Sequence, residues 1–218
     1  MSNRGKISPS IMCADFLNLE KEIREFERLG IEYLHIDIMD GTFVPNFTLG
    51  TDFIAKLRAA TNIPLDIHLM IDNPEQKLDW FDFQPNEYVA IHYESTRHVQ
   101  RTLQKIRDKG AKPMLALNPA TPLCVVEDVA ADLDALLIMT VNPGFAGQKI
   151  VPQTLDKIAR ARALYPHLEI EADGNVSYEN ARKMRAAGAN IFVGGTSSLF
   201  MKGRSFEECV NELRECVV

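Results

Sequence analysis

No apolar run in this 218-residue chain approaches the ~20 residues that a bilayer-spanning helix needs, so no membrane anchor is expected. The opening "MSNRGKISPSIM" lacks the apolar core of a secretory leader, which leaves a cytoplasmic location as the expectation. There is no basic cluster either. With 24 Lys+Arg against 30 Asp+Glu the net charge is −6, so neither nucleic acid nor an anionic membrane surface is an expected partner. The few cysteines (Cys13, Cys124, Cys209 and Cys216) never fall at CxxC spacing, which argues for reduced thiols rather than a thiolate metal site. No GxGxxG follows the first apolar run, which counts against a dinucleotide fold. Linker-like and low-complexity tracts are also missing, so residues 1–218 read as one domain.

What the chain does have is alternation. Short runs rich in Ile, Val and Leu recur at 7–11, 33–38, 64–70, 88–92, 112–117, 135–139, 168–172 and 191–194. Amphipathic stretches separate them. In "NLEKEIREFERLG", Leu19, Ile23, Phe26 and Leu29 fall at helical spacing, and Gly30 follows as a C-terminal stop. The same pattern returns before Gly110 and Gly188, and "SFEECVNELRECVV" closes the chain. About eight strand and eight helix units in strict alternation predict a parallel sheet closed into a (β/α)8 barrel of α/β class. In such a barrel the active site lies at the C-terminal ends of the strands.

The second run breaks the apolar rule. In "LHIDIMDG", Ile36 and Ile38 share one face, while His35, Asp37 and Met39 share the other. The third run, "LDIHLM", puts Asp66, His68 and Met70 on one face, and the seventh, "LEIEADG", ends at Asp173. A lone strand histidine is usually a satisfied core residue. Two imidazoles and two carboxylates at the ends of three barrel strands point instead to one divalent metal site made of His35, Asp37, His68 and Asp173. Such ligands suit zinc, ferrous iron, manganese or cobalt, and the residue types do not choose among them. Asp40 and Asp66 read as supporting or capping residues. Met39, Met70 and Met139 fit two readings, flexible core filler or an apolar lid that excludes water from a reacting carbon.

Glycine-rich turns follow the last three strands. "VNPGFAGQKIVP" carries Gly144, Phe145, Ala146 and Gly147; "ADGNVSYEN" carries Gly174 and Asn175; "VGGTSSLF" carries Gly195 and Thr196. Small residues let backbone N–H groups approach an anion, and three such turns at one mouth predict a phosphate cradle. A metal and a phosphate facing each other across a small cleft imply a small phosphorylated substrate with oxygens to chelate, such as a sugar phosphate.

The segments "ISPSIMCADF", "HIDIMDGTFVPN", "DIHLMI", "VNPGFAGQ" and "EADGNV" resemble, in order and over nearly the whole chain, the signature segments of the ribulose-phosphate 3-epimerase family. That resemblance implies a (β/α)8 barrel, a metal held by His35, Asp37, His68 and Asp173, and an acid/base pair at Asp37 and Asp173. It places substrate contacts at Ser10 and His68 and phosphate contacts at Gly144–Gly147, Gly174–Asn175 and Gly195–Thr196. It further implies cytoplasmic sugar-phosphate metabolism of the pentose phosphate type and a homo-oligomer, dimer or hexamer. Inverting a carbon beside a carbonyl needs a proton carrier on each face and a cation near the enediolate charge. In a ring of eight, the second and seventh strands lie three apart one way and five the other, so Asp37 and Asp173 flank the centre.

Three positions depart from the family's pentulose pattern: Ala146 and Asn175, where glycines are usual, and Thr42, where a histidine is usual. Ala146 and "GTSSLF" are more similar to the branch acting on allulose 6-phosphate. The expected reaction is D-ribulose 5-phosphate to D-xylulose 5-phosphate; the alternative is D-allulose 6-phosphate to D-fructose 6-phosphate. More remote are a non-catalytic sugar-phosphate-binding barrel, a metal-free phosphate barrel, and a metal-dependent amidohydrolase, whose HxH "ISPSIM" lacks.

Overall fold

A computed structural model describes residues 4–218; residues 1–3, which the leader and domain expectations also include, lie outside the described residues. The strands are β1 (Lys6–Pro9), β2 (Leu34–Asp40), β3 (Phe47–Thr48), β4 (Leu65–Met70), β5 (Tyr88–His92), β6 (Lys112–Leu117), β7 (Ala135–Met139), β8 (Glu169–Asp173) and β9 (Ile191–Gly194). The helices are α1 (Leu19–Arg28), α2 (Thr51–Ala60), α3 (Val99–Asp108), α4 (Gln153–Leu164), α5 (Tyr178–Ala187) and α6 (Phe206–Cys216). The sheet runs β1-β9-β8-β7-β6-β5-β4-β2-β3. Every pairing is parallel except that of the short β3 on β2. A parallel bridge between Ser10 and His35 joins β1 to β2 and closes the ring of eight. The α/β barrel expected from the alternation is the fold.

The strand parity works as the pattern requires. Ile36, Ile38, Ile67, Leu69, Ile170 and Ala172 face outward into one large core shared with the helices. Inside the ring, Tyr88, Ala90, Met114, Ala116, Ala135, Leu137, Met139 and Ile191 pack into a separate apolar plug. The polar exceptions stand on that inner face: His35, Asp37, Asp66, His68, His92 and Glu171 are all buried.

Two of the eight expected helical units are not α-helices. Between β4 and β5 the chain makes two 3-10 turns, Pro74–Gln76 and Leu78–Trp80. Asn73 and Asn86 adopt left-handed backbone there, and Pro74 restarts the chain at the first turn, so no run is long enough to propagate. Between β6 and β7, Leu123–Asp132 is 3-10. Its buried residues, Leu123, Val126 and Val129, recur every third position, the period of that helix.

Candidate active site and metal centre

The C-terminal ends of β2, β4 and β8 converge on four side chains. Asp37 Oδ1 lies 3.3 Å from His35 Nε2 and 3.4 Å from His68 Nδ1. Asp173 Oδ2 lies 3.9 Å and 3.8 Å from the same two nitrogens. One ligand atom from each of the four falls within 4.8 Å of all the others. Both ring nitrogens are buried and lack a hydrogen-bond partner. Two orphaned imidazole nitrogens beside two carboxylate oxygens are what a divalent cation would satisfy, so the residues present fit the expected metal.

Each ligand is held from behind. His35 Nδ1 donates to Asp66 Oδ2 at 2.7 Å, and Ser8 Oγ donates to the same oxygen at 2.9 Å. Asp66 thus supports His35, as expected for it. Glu171 Oε1 sits 3.5 Å from His35 Nδ1. His35, Asp66 and Glu171 also cluster closely enough to hold a metal, but the hydrogen bond to Asp66 already occupies His35 Nδ1. Ser10 Oγ donates to Asp37 Oδ2 at 2.7 Å, and Thr48 Oγ1 of β3 donates to the Asp37 carbonyl at 2.6 Å. Thr140 holds the Asp173 carbonyl through its N–H at 2.7 Å and its hydroxyl at 2.9 Å. Behind His68 stands His92, with the two Nε2 atoms 2.8 Å apart.

The electrostatics divide the acids. Burial opposes ionisation of Asp37, but the attraction of His35 and His68 outweighs it and holds the carboxyl well below its usual range. Burial raises Asp173, helped by repulsion from Asp37 and Asp66 against the pull of His35 and His68. Burial raises Glu171 well above its ordinary value, and the Asp66 charge adds to it. Burial works against protonation of His35, yet Asp66 and Asp37 together push its proton affinity well above the usual imidazole value. The same anionic surroundings favour a cation in that proton's place. Burial takes His92 the other way, down to about 4. Glu94, despite burial, is held at about 2 by hydrogen bonds led by that from His92.

A cleft opens above these carboxylates. Asp37 and Asp173 both line it, with Ser10, Met39, Met70, Met139, Gly144–Gly147, Gly174, Asn175, Gly195 and Thr196. The expected substrate-binding residues therefore share one cavity, except His68, which lies beneath the lining and is fully buried. The three methionines are 4%, 1% and 2% exposed, so they form the buried wall of the cleft rather than a lid over it. Thr42 is not on the lining; its N–H donates to Asp40 Oδ1. Asp40 also accepts from the N–H groups of Phe43 and Asp72 and from Lys77 Nζ, the capping role expected of it. Cys13 lines the cleft as well, with burial raising its thiol.

At the far end, none of the cleft's lining residues is Lys or Arg, so an anion there must be met by main chain and small side chains. Gly174 has φ +112°, and a Cβ on it would lie 2.6 Å from Val141 Cγ2 and 2.9 Å from Val141 N. Asn175 takes the left-handed backbone at φ 47°. Its side chain is already spent: Nδ2 donates to the Gln148 carbonyl at 2.7 Å, and Oδ1 accepts from Asn180 Nδ2 at 2.7 Å. Asn175 thus clamps the loop after β8 to the loop after β7.

The sequence reading did not single out His92, Glu94 or Glu171. For two of them the signal was parity: His92 follows Tyr88 and Ala90 on the inner face of its strand, and Glu171 precedes Asp173 by two; Glu94, in the turn Tyr93–Ser95, has no such signal.

Comparison with known proteins bears on this geometry. The family model described as "Ribulose-phosphate 3 epimerase family" matches residues 6–200. The Bacillus subtilis protein named ribulose-phosphate 3-epimerase is 40% identical over 214 residues, covering 96% of this chain and 98% of that protein. The Escherichia coli protein of the same name is 37% identical over 213 residues, covering 95% and 94%. The Arabidopsis thaliana "Ribulose-5-phosphate-3-epimerase, chloroplastic" is 42% identical, covering 88% and 70%. Among solved structures, a mutant tryptophan synthase α-subunit from Pyrococcus furiosus superposes with TM-score 0.67 at 15% identity, covering 99% of both chains, a likeness of fold.

Proposed function

The chain belongs to the ribulose-phosphate 3-epimerase family, and on that premise we propose that it interconverts D-ribulose 5-phosphate and D-xylulose 5-phosphate, with Asp37 and Asp173 moving the C3 proton. It is an isomerase of the epimerase class. One observation carries the residue assignment: two carboxylates enter the same cleft from β2 and β8, three strands apart around the ring. A pair so placed can serve opposite faces of one carbon. Asp37 takes the proton from one face of C3. Asp173 returns a proton to the other face, and the roles exchange in the reverse reaction. The Ser10 hydroxyl fixes Asp37 Oδ2 while Oδ1 stays among the ligand nitrogens, so the two oxygens of Asp37 have separate duties.

His35 Nε2, His68 Nδ1, Asp37 and Asp173 would hold one divalent ion: zinc, ferrous iron, manganese or cobalt. When bound, it supplies Lewis-acid stabilisation of the negative charge that develops on the substrate's C2 oxygen. Met39, Met70 and Met139 exclude water from the reacting carbon. The loops at Gly144–Gly147, Gly174–Asn175 and Gly195–Thr196 receive the phosphate. We read residues 1–218 as one barrel domain acting in the cytoplasm as a homo-oligomer, dimer or hexamer. No described helix is long and apolar enough to cross a membrane, and the exposed Leu17 and Phe47 support self-association.

The test is kcat/KM for both sugars on one metal-loaded preparation, with a metal-stripped control. Ribulose 5-phosphate should lead allulose 6-phosphate by tenfold or more, about 1.4 kcal/mol in transition-state binding. A lead for allulose 6-phosphate would overturn the substrate assignment, and full activity without metal would overturn the metal.

A further inference from the structure

β5 ends in a histidine that the proton transfer does not use. His92 is fully buried and stacks on His68, with ring centroids 5.0 Å apart and planes at 27°. Its Nε2 lies 2.8 Å from His68 Nε2. Two ring nitrogens this close share one proton, so one donates and the other accepts. On its other edge, His92 Nδ1 lies 3.3 Å from Glu94 Oε2. Glu94 is itself anchored, accepting from the Asn118 N–H at 3.0 Å and from the Thr121 hydroxyl. Lys157 of α4 then ties down the carbonyls of Asn118, Pro119 and Thr121 at 2.9, 2.8 and 2.6 Å.

The far end of this chain biases the protons along it. The Glu94 carboxylate is not aligned for a hydrogen bond with His92 Nδ1, but at 3.3 Å it can only favour a hydrogen on the nitrogen that faces it. The lone pair of the neutral ring is then at Nε2, where it must receive the N–H of His68 Nε2. His68 Nδ1 is left bare, and it is the atom that faces Asp37 Oδ1 at 3.4 Å and Asp173 Oδ2 at 3.8 Å. We infer that His92 and Glu94 are positioning residues that lock His68 in the tautomer whose Nδ1 lone pair meets the metal. This inference rests on the metal-dependent reading above.

The comparison with His35 shows what the extra ring achieves. His35 is fixed directly by a carboxylate, with Nδ1 toward Asp66 and Nε2 toward the ligands. His68 faces the ligands with the opposite nitrogen, and its carboxylate is one imidazole further away. Asp37, Asp66, Asp173 and Glu171 already crowd the centre with acidic groups. A neutral spacer passes on the orientation that Glu94 favours without adding another anion to that crowd. Partners of this kind fix the tautomer and ring orientation of a ligating histidine.

Long-range 15N–1H spectra of the zinc-loaded protein should show His68 protonated at Nε2 and His92 at Nδ1. A His92 protonated at Nε2 would overturn the inference, and this measurement needs no variant that might misfold. Zinc affinity, read by chelator competition, should fall about 10–100-fold in His92→Phe, which removes the acceptor. His92→Gln, whose Oε1 can still accept, should stay near the unaltered affinity. If His92→Phe bound zinc as tightly as the unaltered protein, the inference alone would fall. If the unaltered protein took up none of zinc, ferrous iron, manganese or cobalt, the metal reading would fall and take the inference with it.

Discussion

At one end of the cleft the working atoms are side chains on strands: His35 and Asp37 on β2, His68 on β4, Asp173 on β8, each held from behind by a further hydrogen bond or a buried ring. At the other end they are main chain and small residues on loops, with no cation among them. The first end is anchored in the barrel's own pleat, where a displaced side chain would have to displace a strand. The second depends on loop-to-loop ties such as Asn175 to Gln148. Substitutions at the strand end should therefore cost turnover, and substitutions at the loop end should cost affinity.

The strongest test is Asp173→Asn. The amide keeps the shape but cannot carry the proton, so kcat should fall by ~10²–10⁴ while inhibition by inorganic phosphate stays unchanged. C3 proton exchange from one epimer can survive, because Asp37 still reaches one face. An equal loss of phosphate affinity would break the division between the ends. The reverse outcome is expected of Gly174→Ala. Its Cβ would press on Val141 at a backbone angle that alanine rarely adopts, so the loop must move. KM and the inhibition constant for phosphate should rise together by about tenfold, or about 1.4 kcal/mol, with kcat nearly kept. Asn175→Gly retains the backbone angle and deletes the clamp. Loss of hydrogen bonds worth about 1 kcal/mol should raise KM about fivefold. A kcat effect larger than the KM effect would show that the clamp serves the strand end after all.

Asp40→Asn should leave both ends working and lower stability only, by about 1–2 kcal/mol at neutral pH, read by urea unfolding. Burial opposes ionisation of Asp40, yet the bonds from Lys77, Phe43, Thr42 and Asp72 outweigh it and hold it at about 2, below the ordinary 3.8. A carboxyl depressed in the folded state stabilises fully above the unfolded value. That stability is lost as pH falls through about 2, where the variant and the unaltered protein should converge.

The division between the ends also explains what the sequence made legible. Alternation along a strand is strict, so "LHIDIMDG", "LDIHLM" and "LEIEADG" placed His35, Asp37, His68 and Asp173 on inner faces, where the structure brings them together. His92 and Glu171 obey the same parity; they were missed because each was read as the end or middle of a strand rather than as a side chain with a face. Loops carry no such rule. Glycines marked where the chain turns, but nothing local in "ADGNVSYEN" said that Asn175 would spend its amide on Gln148 and Asn180. The two absent α-helices belong to the same class, since left-handed asparagines and a three-residue apolar period outweighed the general βα rhythm.

The ring closes between β1 and β2 on a single bridge, whereas every other neighbouring pair around it shares a ladder of two or more residue pairs. Further bonds make up the deficit: Tyr33 N–H to the Ile7 carbonyl, Ser10 to Asp37, the Ile7 N–H to Glu32 at 3.0 Å, and Ser8 reaching past β2 to Asp66 of β4. Two of those stitches end on carboxylates that also build the active site. The seam with the shortest ladder is thus the place where the barrel works, and native-state exchange of the Ile7 amide, tied across it to Glu32, becomes a gauge of occupancy. A ligand that pins Asp37 and His35 should slow that exchange, while β1 stays tied to β9 by its four-residue ladder.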